Sequence, residues 1–213
     1  MLQVQKNSRQ IPSSKVYTAD KEYNDLLYGY LQEISYPETI NGKTNRYISK
    51  KQKNFSEISS ALGGKMSRQT VSKRFAYLLD IGLLEYEEKY ERYKLNLLDK
   101  NVSTLVPFET LRCINNALSV HAISIYVHLL NRYIAEQEKE FMINLTELIS
   151  FIGLSPFANK NRMAVGDILK VLSLIGLIEK RTVFDAEKNK THIFISKVYN
   201  VLKKDKDVEI MSC

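Results

Sequence analysis

Apolar residues recur at intervals of three and four along most of the chain, which is the spacing of helices that bury one face. In the first half this pattern predicts three helices, over residues 20–34, from about 56 to 63 and from 67 to 82. Asp20 and Ser67 are the expected N-caps of the first and third helices. Pro37, Asn41 and Gly42 are expected to end the first.

The second half of the chain shows the same kinds of pattern. It predicts four helices, over residues 107–117, 119–135, 145–151 and 161–174, with a short strand over 141–143. Pro107 is expected to open the first of these helices and Ser119 to cap the second. Alternation of apolar and polar residues predicts a hairpin over 83–97 in the first half and another over 177–196 in the second.

The two halves are copies of one another. The segment VSKRFAYLLDIGLLE, from Val71, aligns with VGDILKVLSLIGLIE, from Val165, at a constant offset of 94 residues. Upstream, FSEISSALGG aligns with LTELISFIGLS at an offset of 90, so that the second copy has four extra residues within 155–160. We therefore predict two domains, over 20–98 and 107–200, joined by a linker over 99–106 and flanked by mobile tails over 1–19 and 201–213.

The composition is that of a globular protein. Hydrophobic residues make up 44% of the 213 residues and charged residues 26%, with 8 glycines and 4 prolines, so that the chain can bury a core. Its apolar stretches are shorter than the roughly 18 residues of a spanning helix, and the opening residues MLQVQKNSRQ lack an apolar signal core. The two cysteines are too few for a disulfide framework. We expect a cytoplasmic protein without a membrane partner.

Basic residues are concentrated between residues 43 and 74. This segment holds nine lysines and arginines and one acidic residue, Glu57, which gives it a net charge of +8 against +7 for the whole chain. Such a local excess is the electrostatic footprint of a surface that binds a polyanion. A solvated protein face is the alternative explanation.

The block SEISSALGGKMSRQTVSKRFAYLLDIGLLE, which begins at Ser56, resembles the helix-turn-helix and the start of the wing in the winged-helix superfamily. The resemblance to this superfamily covers about residues 20–199, and the whole chain resembles the tandem winged-helix replication initiators and related replication proteins of plasmids and phages. The segment VPFETLRCINNALSVHAISIYVHLLNRY, from Val106, is similar to the opening of such proteins. The resemblance implies a mainly α fold of the α+β class, with two tandem winged-helix domains and small β-hairpin wings.

The predicted third helix has the chemistry of a helix that reads DNA. Its apolar residues must face the core, and the free face then carries Arg68, Gln69, Ser72 and Lys73, which we expect to contact base edges. Arginine suits guanine and glutamine suits adenine, because each makes paired hydrogen bonds with that base in the major groove. The residues expected to contact phosphates are Lys50, Lys51, Lys53, Lys65, Thr70, Arg74, Lys160, Arg162, Lys170, Lys180, Arg181, Lys188 and Lys190.

The second copy carries a weaker set of residues for reading bases. Gly166 and Asp167 stand where the first copy has Ser72 and Lys73, and a carboxylate faces phosphate unfavourably unless it accepts from a cytosine amino group. The second hairpin is basic, whereas glutamates dominate the first. We expect the first copy to read chiefly with its helix and the second with its wing. The alternative is that the second copy is a dimerisation or partner surface.

No constellation of catalytic residues is found in the sequence. The three histidines form no His-x-His pair, which excludes the metal site of rolling-circle nucleases, and their spacing from Cys113 is unlike that of zinc sites. The tetrapeptide NGKT at residues 41–44 imitates the end of a phosphate-binding loop, but Pro37 occupies the position of the first glycine. We expect a loop there, and no catalytic residue, metal or cofactor.

The sequence therefore predicts a protein that binds double-stranded DNA in a sequence-specific manner. The resemblance implies, more narrowly, a plasmid or phage replication initiator that binds origin repeats and recruits host replication proteins. Two alternatives stay open: a winged-helix transcriptional regulator that occludes a promoter, and a replication accessory or helicase-loader-like protein whose winged helices bind protein. A homodimer is compatible with all three.

Overall fold

The computed structural model describes residues 8–12, 24–98, 103–118, 120–187 and 189–200 of the chain. The described residues divide into two compact units, the first ending at Phe108 and the second beginning at Glu109. They form seven α-helices and small antiparallel sheets, so that the expected α+β class is confirmed. No helix among them combines the length and the apolar character needed to cross a bilayer.

The first unit contains a four-stranded antiparallel sheet and three helices. Its elements are β1 (Ser8–Pro12), α1 (Asp25–Ile34), β2 (Tyr36–Ile40), β3 (Lys43–Ser49), α2 (Phe55–Ala61), α3 (Arg68–Asp80), β4 (Leu84–Glu87), β5 (Arg92–Leu95) and β6 (Ser103–Pro107). The sheet has the strand order β2, β3, β5, β4, and β1 pairs separately with β6. Leu27 and Leu31 of α1 and Phe75 of α3 are among the buried residues of its core.

Two predictions for the start of the first unit are wrong. Helix α1 begins at Asp25, and its N-cap is Asn24, whose side chain accepts a 2.8 Å hydrogen bond from the Leu27 amide. The expected cap, Asp20, lies outside the described residues. Pro37, Asn41 and Gly42 were expected to end the helix and residues 41–44 to form a loop, but residues 36–49 form the hairpin β2–β3.

The β2–β3 hairpin depends on the turn at Asn41 and Gly42. Both residues have positive φ angles, 50° and 76°, which allow a two-residue turn to follow the twist of its strands. Asparagine and glycine adopt this conformation most readily. Pro37, which has no amide proton to donate, lies in β2 at the edge of the sheet, where proline is tolerated. The dipeptide Asn-Gly was therefore a hairpin signal, and treating it as a helix stop was the error.

The segments predicted as a mobile tail and a linker contain a pair of strands. β1 pairs antiparallel with β6, from Ser8 opposite Pro107 to Pro12 opposite Ser103. Ile11 of β1 is fully buried and so is Val106 of β6, so that hydrophobic burial accompanies the pairing. Residues 8–12 are therefore not a tail, and residues 103–106 are not a linker. The other residues assigned to tails and linker, 1–7, 13–19, 99–102 and 201–213, lie outside the described residues.

The second unit has the elements predicted for it. They are α4 (Phe108–Ala117), which begins at the division between the units, α5 (Val120–Ala135), β7 (Phe141–Ile143), α6 (Leu145–Phe151), α7 (Asn159–Leu174), β8 (Ile178–Asp185) and β9 (Lys190–Val198). The strands form an antiparallel sheet of order β7, β9, β8. Helix α7 begins two residues before the predicted position. Ser119, the expected cap of α5, lies outside the described residues.

The internal repeat is visible at the ends of the helices. Asn54 and Asn144 cap α2 and α6 through their side-chain oxygens. Gly82 and Gly176 follow α3 and α7 with φ angles of 74° and 73°. The strand orders β3, β5, β4 and β7, β9, β8 also correspond. Each unit therefore contains a helix, a strand, two helices and a hairpin in that order, and β3 is the strand that was not predicted in the first.

A buried tyrosine occupies corresponding positions in the two units. Tyr28 on α1 donates a 3.0 Å hydrogen bond to the carbonyl of Asn96, just after β5. Tyr126 on α5 donates a 2.7 Å hydrogen bond to the carbonyl of Tyr199, just after β9. Both side chains are fully buried, and burial raises the pKa of Tyr126. Each hydroxyl satisfies a backbone carbonyl and joins a helix to the end of the last strand in its unit.

Gly42 and Gly166 offer a matched test of the backbone. A methyl group added at either glycine would meet no atom within 4 Å, but Gly42 has a positive φ angle, whereas Gly166 lies inside α7. Gly42→Ala is expected to lower the free energy of unfolding by about 1 kcal/mol. Gly166→Ala is expected to raise it by a similar amount. Chemical denaturation measures both, and a change of the same sign in the two variants would contradict the proposed turn.

Candidate nucleic-acid interface

Helix α3 is positioned by its cap and by its buried side. The Ser67 side-chain oxygen accepts a hydrogen bond from the Thr70 amide at 3.2 Å and lies 2.9 Å from the Thr70 hydroxyl. Val71, Phe75 and Leu78 are almost fully buried. The predicted cap and the predicted apolar face of this helix are therefore confirmed.

The opposite side of α3 presents the residues expected to read bases. Arg68, Gln69 and Lys73 are exposed, and Ser72 is half-buried. Within the described part of the chain, the side chains of Arg68 and Gln69 make no hydrogen bond or ion pair. Side chains of these types on one helix face have the geometry for paired hydrogen bonds with guanine and adenine. The structure thus brings the four predicted residues onto one surface.

The residues expected at phosphates near α3 differ in their availability. Thr70 is half-buried, and its hydroxyl is engaged with Ser67 at the cap. Arg74 is half-buried, with its Nη1 3.5 Å from the sulfur of Met66. Lys51, ahead of α2, and Lys65, in the turn between α2 and α3, are exposed. The two lysines are better placed than Thr70 and Arg74 to reach a phosphate.

Lys53, which was expected at a phosphate, lies in an aromatic cluster. Its Nζ donates a 2.7 Å hydrogen bond to the Tyr93 hydroxyl. The same nitrogen lies 5.4, 5.2 and 4.8 Å from the ring centroids of Phe55, Phe75 and Tyr93. The side chain is half-buried, so that its charge interacts with the faces of these rings. Lys53 therefore contributes to the packing of α2, α3 and β5.

Two other cations of the basic segment also have partners within the unit. Lys50 Nζ donates to Glu91 at 2.6 Å, and this hydrogen bond raises the pKa of Lys50. Arg46 donates from Nε to the Ser35 hydroxyl at 2.7 Å and from Nη2 to the Ser35 carbonyl at 2.6 Å. The sequence shows the charges but not these partners. Glu91 offsets the charge of Lys50, so that the positive charge that a ligand meets is smaller than the net charge of residues 43–74.

The β4–β5 hairpin is acidic, and its Arg92 is paired with carboxylates of the same sheet. Arg92 is only 7% exposed, its Nε donates to Glu87 at 2.7 Å, and its Nη1 donates to Glu38. The guanidinium carbon lies 3.6 Å from the ring centroid of Tyr47 and 4.6 Å from that of Tyr90. Burial acts to lower the pKa of Arg92, but the hydrogen bonds to the carboxylates raise it above its ordinary value. The hairpin therefore presents more carboxylates than cations to a phosphate, with Lys89 exposed among them.

Helix α7 of the second unit exposes a different set of side chains. Val165, Leu169 and Leu172 form its fully buried side. The exposed residues at intervals of three and four on the other side are Lys160, Met163, Asp167, Lys170 and Leu174. The expected phosphate contacts Lys160 and Lys170 thus lie on one face, together with a carboxylate and two apolar groups.

The turn before α7 is tied to the helix by side chains. Asn161 Nδ2 donates to the Ser155 carbonyl at 2.8 Å, and Arg162 Nε donates to the Pro156 carbonyl at 3.1 Å. This turn contains the four residues that the second copy has in addition to the first. Arg162, expected at a phosphate, is exposed, so that it holds the turn and still reaches solvent.

A groove of about 620 Å³ lies between the start of α7 and the second hairpin. Its lining includes Arg162, Lys190 and His192 together with Asn144 and Met142, and it contains no acidic residue. A concave surface with this charge suits a phosphate backbone. The sequence identified Arg162 and Lys190 as candidates, but their common groove results from the fold.

The second hairpin has fewer available cations than its sequence suggests. Arg181 donates to both carboxylate oxygens of Glu140, at 2.7 and 2.6 Å, and its guanidinium carbon lies 4.3 Å from the Phe194 ring centroid. These hydrogen bonds raise the pKa of Arg181 and lower that of Glu140. The other expected contacts here are Lys180, which is half-buried, Lys190, which is exposed, and Lys188, which lies outside the described residues.

The histidines of α5 take part in packing. Burial lowers the pKa of His121 and of His128, and the charge of Arg132 adds to the effect at His128. The His128 ring lies 4.2 Å from the ring of Phe151, measured between centroids. In the part of the chain that the structure describes, no three His, Cys, Asp or Glu side chains form a group that could hold a metal ion.

No protein-family model matches the chain, and no curated protein or solved structure shows significant similarity to it. The relation to winged-helix replication proteins therefore stays a prediction. The exposed side of α3 carries side chains of the types that can make paired hydrogen bonds with bases.

The ion pairs of Arg92 in the β4–β5 hairpin are expected to contribute to the free energy of unfolding. Arg92→Gln is expected to lower the free energy of unfolding by about 1–2 kcal/mol, because Glu87 and Glu38 lose a shared, buried partner. Lys94→Gln is the matched control. Lys94 pairs with Glu85 at 3.1 Å in a more exposed position, so its loss is expected to cost less than about 0.5 kcal/mol. Equal losses in urea denaturation would contradict a special role of Arg92.

Proposed function

We propose that this chain is a tandem winged-helix protein that binds double-stranded DNA in a sequence-specific manner, with α3 as its reading helix. The observation that carries the proposal is the exposed polar face of α3, where Arg68 and Gln69 extend opposite a buried apolar stripe. A helix of this kind, projecting from a small domain, fits the major groove and can hydrogen bond to base edges there.

The order and pairing of the elements support the winged-helix assignment. In each unit a helix and a strand precede two successive helices, and a hairpin follows. The second strand of that hairpin pairs with the early strand, β5 with β3 and β9 with β7. In a winged-helix domain the second of the two helices is the DNA-reading one and the hairpin is the wing. These would be α3 and β4–β5 in the first unit, and α7 and β8–β9 in the second.

The distribution of charge supports a division of roles between the units. In the first unit, Lys51 is exposed ahead of α2 and Lys65 is exposed in the turn before α3, whereas the β4–β5 hairpin carries carboxylates. The first unit would therefore read bases with its helix and hold phosphates beside it. In the second unit, Arg162 and Lys190 line one groove between helix and hairpin, which would hold a phosphate backbone there.

Two binding units on one chain favour a site with more than one element. When the first unit is bound, the second searches at an effective concentration of millimolar order, provided that the chain between them spans both elements. This property suits the repeated sites of a replication origin. Together with the resemblance of the sequence, it supports the narrower proposal of a plasmid or phage replication initiator, with host replication proteins as further partners.

A footprint across the protein's own gene and the flanking DNA, at near-physiological salt and with competitor DNA, tests this function. Several protected direct repeats are the expected result. One protected operator over a promoter would indicate a transcriptional regulator instead. If no site is protected, sequence-specific DNA binding is wrong and a helicase-loader-like role in binding protein gains support.

Arg68→Ala tests the assignment of the reading helix. The variant is expected to lose about 1–3 kcal/mol of discrimination between the protected site and a random duplex, because a paired contact to guanine disappears. Fluorescence anisotropy on both duplexes measures the change. Arg112→Ala, which removes an exposed arginine from α4, is the control. Equal weakening on the two duplexes by Arg68→Ala would contradict base reading by α3.

Lys51 and Lys53 are two residues apart, but substitution of Lys51 is expected to affect DNA binding and substitution of Lys53 to affect stability. Lys51→Gln should weaken binding to all duplexes alike and reduce the slope of log K against log salt by about 0.9, since one phosphate contact is lost. Lys53→Gln should leave that slope unchanged and lower the free energy of unfolding by about 1 kcal/mol, because its aromatic cluster loses the cation. Salt titrations and urea denaturation measure the two effects. The reverse pattern would show that Lys53 is a phosphate contact.

A further inference from the structure

The repeat pairs each residue of α3 with a residue of α7, and one pair differs in a way that bears on recognition. Gln69, the expected adenine contact, corresponds to Met163, 94 residues later. Met163 lies on the side of α7 opposite the buried Val165 and Leu169, and it is 63% exposed. The second unit therefore presents an apolar group where the first presents a hydrogen-bonding one.

A second apolar side chain is presented just ahead of α7. Phe157 lies in the turn before the helix and is 95% exposed. Hydrogen bonds from the side chains of Asn161 and Arg162 to carbonyls of this turn hold it against the helix. The ring is thus carried by an ordered turn and is not used in packing its own unit. The shorter turn of the first unit has Lys65 and no aromatic residue.

Gly166 is not required by the packing of the second unit. It corresponds to Ser72 of the first unit, and a methyl group added to it would meet no atom within 4 Å. Glycine inside a helix lowers the stability of that helix relative to alanine. Its effect at this position is to leave the backbone of α7 open to close approach from outside.

Positive groups accompany these exposed apolar groups. Lys160, Arg162 and Lys170 are exposed on α7, against one exposed carboxylate, Asp167. The adjoining groove adds Lys190. The major groove of DNA offers phosphates along its rims and the C5-methyl groups of thymine on its floor. Charge complementarity therefore favours DNA over a protein as the ligand of this surface.

We propose that Met163 and Phe157 contact thymine methyl groups in the major groove, so that the second unit selects thymine by apolar contact. Gly166 lets the backbone of α7 approach the base edges, and Asp167 accepts a hydrogen bond from a cytosine amino group beside them. This inference rests on the proposed DNA-binding function and adds to it the base that the second unit reads.

Replacement of thymine by deoxyuridine isolates this contact, because it removes the methyl group and leaves base pairing and phosphates unchanged. With the full-length protein and its protected site, each replacement at a contacted thymine is expected to weaken binding roughly threefold to fivefold. Met163→Ala and Phe157→Ala should weaken binding to the thymine duplex and remove its sensitivity to deoxyuridine. Leu174→Ala, which truncates a 74% exposed side chain at the other end of α7, is the matched control and should change neither.

Gly166→Ala supplies a readout that a purely structural role would not produce. The substitution is expected to raise the midpoint of thermal unfolding by roughly 2–4 °C, since alanine favours the helix. It should at the same time weaken binding to the specific duplex, because the added methyl group holds α7 away from the bases. A more stable protein with undiminished affinity would show that no base approaches Gly166, and would overturn that part of the proposal.

The remaining outcomes separate this inference from the proposed function. Full affinity for deoxyuridine duplexes, with specific binding retained, would overturn the thymine contact and leave the function intact. Failure to prefer any duplex would overturn the function, and the inference with it. If Met163→Ala and Phe157→Ala leave DNA binding unchanged but alter the sedimentation coefficient, the surface is a protein interface and the inference is wrong.

Discussion

Burial of one side of α3 and of α7 governs where the candidate contact residues on these two helices lie. An α-helix turns by about 100° per residue, so that burying Val71, Phe75 and Leu78 directs Gln69 and Lys73 to solvent. Each such side chain contributes about 1.5–3 kcal/mol when it is removed from water. A surface contact contributes less, so the core sets the orientation of the helix and the exposed residues follow it. In α7 the same constraint exposes Met163 and Asp167.

Pairing among charged groups decides how much of the basic segment is available to a ligand. Arg46, Lys50 and Lys53 all have partners inside the first unit, and Arg181 has one inside the second. Glu91 offsets the charge of Lys50, so that the surface of the first unit is less positive than residues 43–74 suggest. The β4–β5 hairpin carries exposed carboxylates, and its Arg92 is paired with Glu87 and Glu38. In the second unit, Arg162 and Lys190 line a groove, and Lys160 and Lys170 are exposed on α7.

The two units share residues that stabilise the ends of helices and strands, and they differ at exposed positions. The asparagine caps, the glycines with positive φ after the helices and the buried tyrosines correspond between the copies. These groups satisfy backbone atoms at helix and strand ends, so that the arrangement depends on them. Gln69 and Met163 correspond as well, but neither packs in a core. One architecture thus supports two chemically different surfaces.

Local sequence was enough to locate most helices, the cap at Ser67, both predicted hairpins and the twofold repeat. These features depend on residues a few positions apart, whose spacing and turn-forming types can be recognised within a short segment of sequence. The hairpin at Asn41 and Gly42 was also a local signal, but the neighbouring proline made it resemble the end of a helix. The free face of α3 followed from the same periodicity.

Distant pairings could not be obtained in this way. β1 meets β6 across 91–99 residues, Arg92 meets Glu38 across 54, and Lys53 meets Tyr93 across 40. The residues around a strand or a cation do not identify its distant partner, because many other segments of the chain have a similar polarity. The tertiary structure determines the partner, because formation of the cores brings one of these segments close enough to pair. Because of these distant contacts, residues 8–12, predicted as a tail, form a strand, and Lys53, predicted as a phosphate contact, lies in an aromatic cluster.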